Sequence, residues 1–219
     1  MKNIFKILAP TTLLLSSGIA MAGGALSWNL SRDMMTGITK NPKGVWSFMQ
    51  TQTLHNSGLY ALLPIYSAGC IDDLFNTINF MNCWQDSTAI PTSTIVGITT
   101  KTISFRTIPV AQRGIPFLHP GSDRAVVVRW KSPVSGNIDL FGRVSDIDSV
   151  CGDGIDWFVD YQNTTLVSGS LTNGTGATFF KQSVPVVKGQ SMYFIIDRGI
   201  NNDHVCDSTN LDVIITHQQ

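Results

Sequence analysis

The sequence predicts an all-β protein, an antiparallel jelly-roll β-sandwich of about ten strands held by disulfides. Three observations lead there. All fifteen acidic residues of the 219-residue chain are aspartate, and aspartate caps turns and helix starts where glutamate would propagate helices. Charged residues make up only 14%, with nineteen glycines, a balance of strands joined by turns. Short segments alternate apolar and polar residues with a period of two, separated by Pro, Gly and Asn at about 8 to 12-residue spacing.

Taken in order, residues 1–22 read as a signal peptide: Lys2 and Lys6 form a positive head, Ile7 to Ala20 is mostly apolar, and Ala20-Met21-Ala22 has the small-x-small form of a cleavage site. The apolar run is shorter than the roughly 20 residues that span a bilayer. No second run of that length follows, so no transmembrane anchor is expected in the mature chain, which is read as one domain over residues 23–219, secreted or periplasmic. Val45 to Thr51, Leu59 to Tyr66, Ile95 to Thr99 and Thr102 to Thr107 are expected strands, while Ile71 to Asn82 reads as a short helix or a long loop. The second half is more regular. Ala125 to Lys131, Asn137 to Val144, Ile155 to Tyr161, Thr164 to Leu171, Ala177 to Val184, Ser191 to Asp197 and Leu211 to His217 are each expected strands. Turn chemistry separates them at Pro120-Gly121, Pro133 to Gly136, Asn173-Gly174 and Lys188-Gly189.

Export makes disulfides the expected state of Cys70, Cys83, Cys151 and Cys206. Three connectivities are possible. The favoured one joins Cys70 to Cys83, a local pair, and Cys151 to Cys206, which links two similar loops. Formal net charge is zero and no Lys/Arg run occurs, so a nucleic-acid partner is excluded.

Asn41-Pro42-Lys43-Gly44-Val45-Trp46-Ser47-Phe48, then Leu118-His119-Pro120-Gly121, then Val128-Arg129-Trp130-Lys131-Ser132-Pro133 and Gly152-Asp153-Gly154 follow one another along the chain. In that order they resemble a jelly-roll module of bacterial secreted and surface-sorted proteins, with N-P-x-G-x-W-S, L-H-P-G and V-R-W-x-x-P motifs. The resemblance implies a fold like carbohydrate-binding, galactose-binding-like domains. The chain departs from the pattern at Phe48-Met49 and in the segment from Cys70 to Cys83.

Two aspartate-rich loops are the main candidates for chemistry. Asp146, Asp148, Asp153 and Asp156 surround Cys151, and Asp197, Asp203, Asp207 and Asp212 surround Cys206. A Cys151–Cys206 bridge would bring them together, and carboxylates crowded in that way call for a cation. Ca²⁺, which takes six to eight oxygen ligands, is the expected one, with Asp146, Asp148, Asp153, Asp156 and Asp207 as ligands and Asn201 and Asn202 as sources of amide oxygen. The competing reading is that these aspartates cap their own turns. For a sugar ligand the expected contacts are Trp84 as an exposed aromatic, Tyr66 and Trp28 less so, and Asp203 and His204; Trp46, Trp130 and Trp157 are expected in the core. His119, Ser122 and Asp123 lie close in sequence, but the Pro-Gly turn accounts for them and no Gly-x-Ser-x-Gly elbow is present. Asn29, Asn163 and Asn173 sit in glycosylation sequons.

Three functions fit the residues. The first is an exported, non-catalytic protein that binds glycans or another extracellular surface. The others are a host-directed or Ca²⁺-dependent lipid- or protein-interaction protein, and a secreted hydrolase working through aspartates alone, whose two carboxyls would face each other across about 5 to 9.5 Å.

Overall fold

The computed structural model describes residues 26–69, 81–87, 93–105 and 108–218. Its elements are β1 (Ser27–Asn29), α1 (Leu30–Met35), β2 (Trp46–Thr51), β3 (Ala61–Leu62), β4 (Ile65–Ser67), β5 (Met81–Gln85), β6 (Ile95–Thr99), β7 (Ile103–Phe105), β8 (Ile108–Ala111), β9 (Pro116–His119), β10 (Ala125–Lys131), β11 (Gly136–Asp146), β12 (Ile155–Tyr161), β13 (Thr164–Leu171), β14 (Gly176–Val186), β15 (Ser191–Arg198) and β16 (Thr209–His217). The expectation of about ten strands rises to sixteen among the described residues because several are only two to four residues long, too short to show a period of two. The signal-peptide segment, Cys70 and nearly all of the Ile71 to Asn82 segment lie outside the described residues.

The strands form an antiparallel jelly-roll sandwich. Sheet A runs β14-β11-β16-β9-β6-β5-β4 with β1 added beside β16, sheet B runs β13-β12-β15-β10-β2-β3, and β7 pairs with β8 as a separate ribbon. Strands from both halves of the chain share each sheet. Between the sheets, Trp46, Phe48, Val126, Val128, Trp130, Phe194 and Ile196 of sheet B meet Leu140, Val144, Val213 and Ile215 of sheet A. Trp157 stacks on Phe179 with centroids 5.4 Å apart. Each such side chain contributes about 1.5–3 kcal/mol on burial. Gly142 is required here: a Cβ at this inward position of β11 would lie 2.0 Å from the Phe179 ring.

Each sheet is also partly covered on its outer side, which explains the unbroken apolar run Ala125 to Val128: Val126 and Val128 face the core, while Ala125 and Val127 pack outward with Met49, Tyr60, Tyr193 and Ile195. The segment over this second layer is fastened by His55, whose Nδ1 lies 2.8 Å from Asp160 Oδ2. Asp160 is fully buried and also accepts from Thr165 Oγ1 at 2.8 Å.

The expected strand Leu59 to Tyr66 is broken. Ser57–Leu59 forms a 3-10 turn, β3 pairs with β2 in sheet B, and β4 pairs with β5 in sheet A. The chain crosses between sheets at Leu63-Pro64, and proline, having no N–H, cannot continue a ladder. The N-P-x-G-x-W-S residues stitch this region. Asn41 accepts from Phe48 N–H at 2.9 Å and donates to the carbonyls of Phe48 at 2.7 Å and Leu63 at 3.2 Å, Trp46 Nε1 donates to Asp33 at 2.9 Å, and Arg129 donates to Ser47 at 2.7 Å.

Candidate functional site

Three connections converge at one end of the sandwich: residues 147–154 between β11 and β12, 172–175 between β13 and β14, and 199–208 between β15 and β16. The Cys151–Cys206 disulfide joins the first and third, with Cα atoms 5.6 Å apart, as expected. No described cysteine is free; the Cys70 to Cys83 pairing lies outside the described residues at Cys70. Asn173 ties in the second connection by donating to the carbonyls of Cys151 at 2.7 Å and Gly152 at 2.8 Å, and Asn201 N–H donates to Asp153 Oδ2 at 3.0 Å. Close backbone approach demands glycine at Gly154, where φ is +89° and a Cβ would lie 2.0 Å from the Leu171 carbonyl oxygen.

Asp207 sits at the centre. It is fully buried and neither carboxyl oxygen has a hydrogen-bond partner. Around it Asp146 Oδ2 and Asp153 Oδ1 are likewise buried without partners, while Asp197 Oδ1 faces Arg198 Nε at 3.5 Å. Burial first, then repulsion from Asp153, Asp146, Asp203 and Asp197, pushes the Asp207 carboxyl up to about 9. Asp146, 2% exposed, rises to about 7, again chiefly through burial. A buried carboxylate with nothing to pair it costs several kcal/mol, a cost that a hard cation would offset; as placed here, no three of these carboxylates bring oxygens within 4.8 Å of one another.

Two of the expected ligands make local contacts. Asp148 is buried and its N–H donates to Asp146 Oδ1 at 2.9 Å, closing a turn. Among the described residues, the trio of Asp, His and Cys ligand atoms within 4.8 Å of one another is Asp148, Cys151 and Cys206; its sulfurs are bonded to each other and offer no thiolate. Asp156 points outward from β12 and accepts from Ser170 Oγ at 2.5 Å, and it is not among the groups acting on Asp207. Asp212, on the outer face of β16, accepts from Ser31 at 2.7 Å. Asn201 and Asn202 are exposed. Asn173, read in the sequence as a turn and a sequon, keeps its Oδ1 buried without a partner at this end of the sandwich.

Of the expected sugar contacts, Trp84 and Tyr66 meet as a packed pair, and Asp203 and His204 lie together on the connection between β15 and β16. Trp84 is not an exposed platform: β5 turns it toward the core layer, it packs on Tyr66 with centroids 5.6 Å apart, and its Nε1 donates to the Ile38 carbonyl at 2.5 Å. Trp28 packs on Trp130 at 5.2 Å. Asp203 is exposed and accepts from Val205 N–H at 3.0 Å, a turn contact. His204 Nε2 is buried without a partner, and its ring meets His119 edge-on at 6.3 Å. His119 donates Nδ1–H to the Pro120 carbonyl at 2.6 Å, and burial holds it neutral with a pKa of about 4. Asp123 instead accepts from Gln52 at 2.5 Å, so the local triad does not form. The sequon side chains are all engaged: Asn29 caps α1, Asn163 accepts from Ser57 N–H at 2.9 Å, and Asn173 holds the loops. Among the described residues, no helix is long and apolar enough to cross a membrane.

No protein-family model and no curated protein matches the chain. Solved structures to which it is similar include the CBM36-1 domain of a multidomain xylanase from the hindgut metagenome of Trinervitermes trinervoides, at 14% identity over 54% of this chain and 86% of that one, TM-score 0.32. A carbohydrate-binding module CBM36 solved in complex with calcium and xylotriose is 13% identical over 55% of this chain and 91% of that one, TM-score 0.27. CsCBM6-3 from Clostridium stercorarium, in complex with cellobiose, is 9% identical over 48% and 82%, TM-score 0.27. Similarity of this degree carries no functional weight.

Proposed function

We propose that this is an exported, non-catalytic binding protein for extracellular glycans whose loop end is held together by a structural Ca²⁺. One observation supports the cation above all: the Asp207 carboxyl is fully buried, has no partner, and stands among further unpaired oxygens of Asp146 and Asp153. Asp207, Asp146 and Asp153 would close around the ion from their present wider spacing; it would supply the positive charge that lets the three connections pack without mutual repulsion. Burial argues against the aspartate-hydrolase reading, because Asp146 and Asp207 are closed to a substrate and a glycosidase pair must flank an accessible bond. The test has two arms. Adding Ca²⁺ to chelator-treated protein should raise its melting temperature, and the Ca²⁺-loaded protein should bind at least one polysaccharide on a glycan array. A flat response to Ca²⁺ sinks the cation, and an empty array sinks the glycan.

A second reading draws on the apolar tips of the same connections. Val150 is 69%, Ile200 86% and Val205 45% exposed, and exposed apolar side chains beside a cation site suit Ca²⁺-dependent insertion into an anionic lipid surface. Ca²⁺-dependent sedimentation with phosphatidylserine vesicles, lost on Ile200→Ser, would favour this reading over the glycan one.

A further inference from the structure

The outer face of sheet A is divided. On β5, β6 and β9, Met81, Cys83, Ile95 and Phe117 pack beneath Ile108 and Ala111 of the ribbon. On β14, β11 and β16 the face is open, with Phe180 55% and Phe141 40% exposed. Phe141 stands directly opposite Phe180 on one side and Ile214 on the other, so three apolar side chains form a row across strands about 4.8 Å apart. About 6.8 Å further along β11 the next row is Thr178, Arg143 and Asp212, with Arg143 Nη2 3.5 Å from Asp212 Oδ2. Then come Gly176, Ser145 and Asn210. Here the ribbon side rises as a wall through Val110, Gln112 and Ile115, enclosing a groove of about 280 Å³ over Arg143, Ser145 and Asn210. A second recess of about 340 Å³ shares Val110, Ser145 and Ile147 with it and continues to Gly174 and Asp146.

We propose that this open half of sheet A, from Phe180 and Phe141 past Arg143 and Asp212 into the groove at Ser145 and Asn210, is the surface that binds the glycan, and that its ligand is a neutral polysaccharide chain lying along β11. The inference rests on the glycan reading above and assigns it a place away from the loops. Flat aromatic rings offer stacking surfaces to the C–H faces of sugar rings, and the row beside them carries a guanidinium and a carboxylate able to bond hydroxyls, with the Asn210 amide in the row after it. That row has no net charge, because Arg143 and Asp212 face each other; a uronic-acid polymer would meet Asp212 without a surplus cation to offset it. A second copy of this chain is the poorer occupant. Three apolar side chains fall well short of the roughly 800 Å² per partner of a stable interface, and docking would also desolvate the Arg143–Asp212 pair.

The experiment is affinity electrophoresis of the Ca²⁺-loaded protein in gels cast with hydroxyethylcellulose, arabinoxylan, glucomannan or polygalacturonate. Retardation is expected in at least one neutral gel and not in polygalacturonate. Phe141→Ala and Phe180→Ala should each weaken binding about three- to tenfold, Arg143→Ala should weaken it as well, and all three, being changes at exposed positions, should melt like the parent. Retardation that survives the double phenylalanine variant overturns the sheet-face assignment alone and leaves the glycan reading standing. Failure of the parent to be retarded in any gel removes the glycan reading and the surface with it. A dimer on size-exclusion chromatography that the double variant converts to monomer, without retardation, assigns the face to a second copy and overturns the proposal.

Discussion

Replacing Asp207 by asparagine separates the cost of the buried carboxyl from its use. In the cation-free protein its pKa is about 9 against 3.8 in the unfolded chain, so between those values the folded state holds a proton that the unfolded state releases. Stability from this group is therefore full below about pH 4 and falls as pH rises toward 9, at up to about 1.4 kcal/mol per pH unit. At pH 7 the loss is about 4 kcal/mol. An amide removes the titration, and its N–H donors face carboxylates that lack partners, so in chelator Asp207→Asn should be more stable than the parent by about 3 kcal/mol at pH 7. For a chain of this size that is about 6–12 °C in melting temperature. Saturating Ca²⁺ should reverse the order, since an ion at a hundredfold over its Kd adds about 2.7 kcal/mol to the parent and little to the variant. Differential scanning calorimetry from pH 5 to 8, in chelator and in CaCl₂, reads both effects. A variant that melts below the parent in chelator throughout, or one that Ca²⁺ stabilises as much as the parent, would refute the reasoning.

Breaking the Cys151–Cys206 bridge by a double serine substitution should cost about 4 kcal/mol in the chain-entropy account of a closed loop, given its sequence separation of 55, and should also blunt the Ca²⁺ response in the same melting assay. Gly154→Ala should destabilise by at least about 2 kcal/mol in urea denaturation, since φ there is +89° and the added Cβ meets the Leu171 carbonyl at 2.0 Å; a neutral result would mean that the loop relaxes freely. Trp84→Phe should cost about 1 kcal/mol through the lost bond to Ile38 while leaving polysaccharide retardation unchanged. His119, with a folded pKa of about 4, should show no imidazole titration by NMR between pH 5 and 8, and the stability it contributes above pH 6.5 should be lost as pH falls toward 4.

Much of the fold was legible because a period of two survives in long strands. Ile155–Tyr161, Thr164–Leu171 and Ala125–Lys131 have the expected bounds, since each has five or more residues in which alternation, or a doubly buried apolar run, can register. The segment from Leu59 to Tyr66 was misread because apolar content alone does not show that Pro64 is where the chain changes sheets. Among candidate residues, the aspartates flanking Cys151 and Cys206 were visible as a composition bias, but which of them point at one another was not. Phe141 carried a usable signal: in Asn137 to Val144 it shares parity with Asp139 and Arg143, so alternation alone put it on the outer face beside charged residues.

The sequence by itself determined the class of fold, because backbone propensity and side-chain alternation are local properties: aspartate without glutamate, glycine at turns, and period-two segments suffice to choose strands over helices. It also determined that a loop-end cluster of acids was possible, since the cysteines that gather it are part of the same string. Only the tertiary structure decided that Asp207 is buried without a partner while Asp156 and Asp212 bond to serines, that Trp84 spends its N–H on Ile38, and that Phe141 and Phe180 stand side by side in the open. Each of these depends on which strand lies next to which, and burial and pairing are set by neighbours distant along the chain.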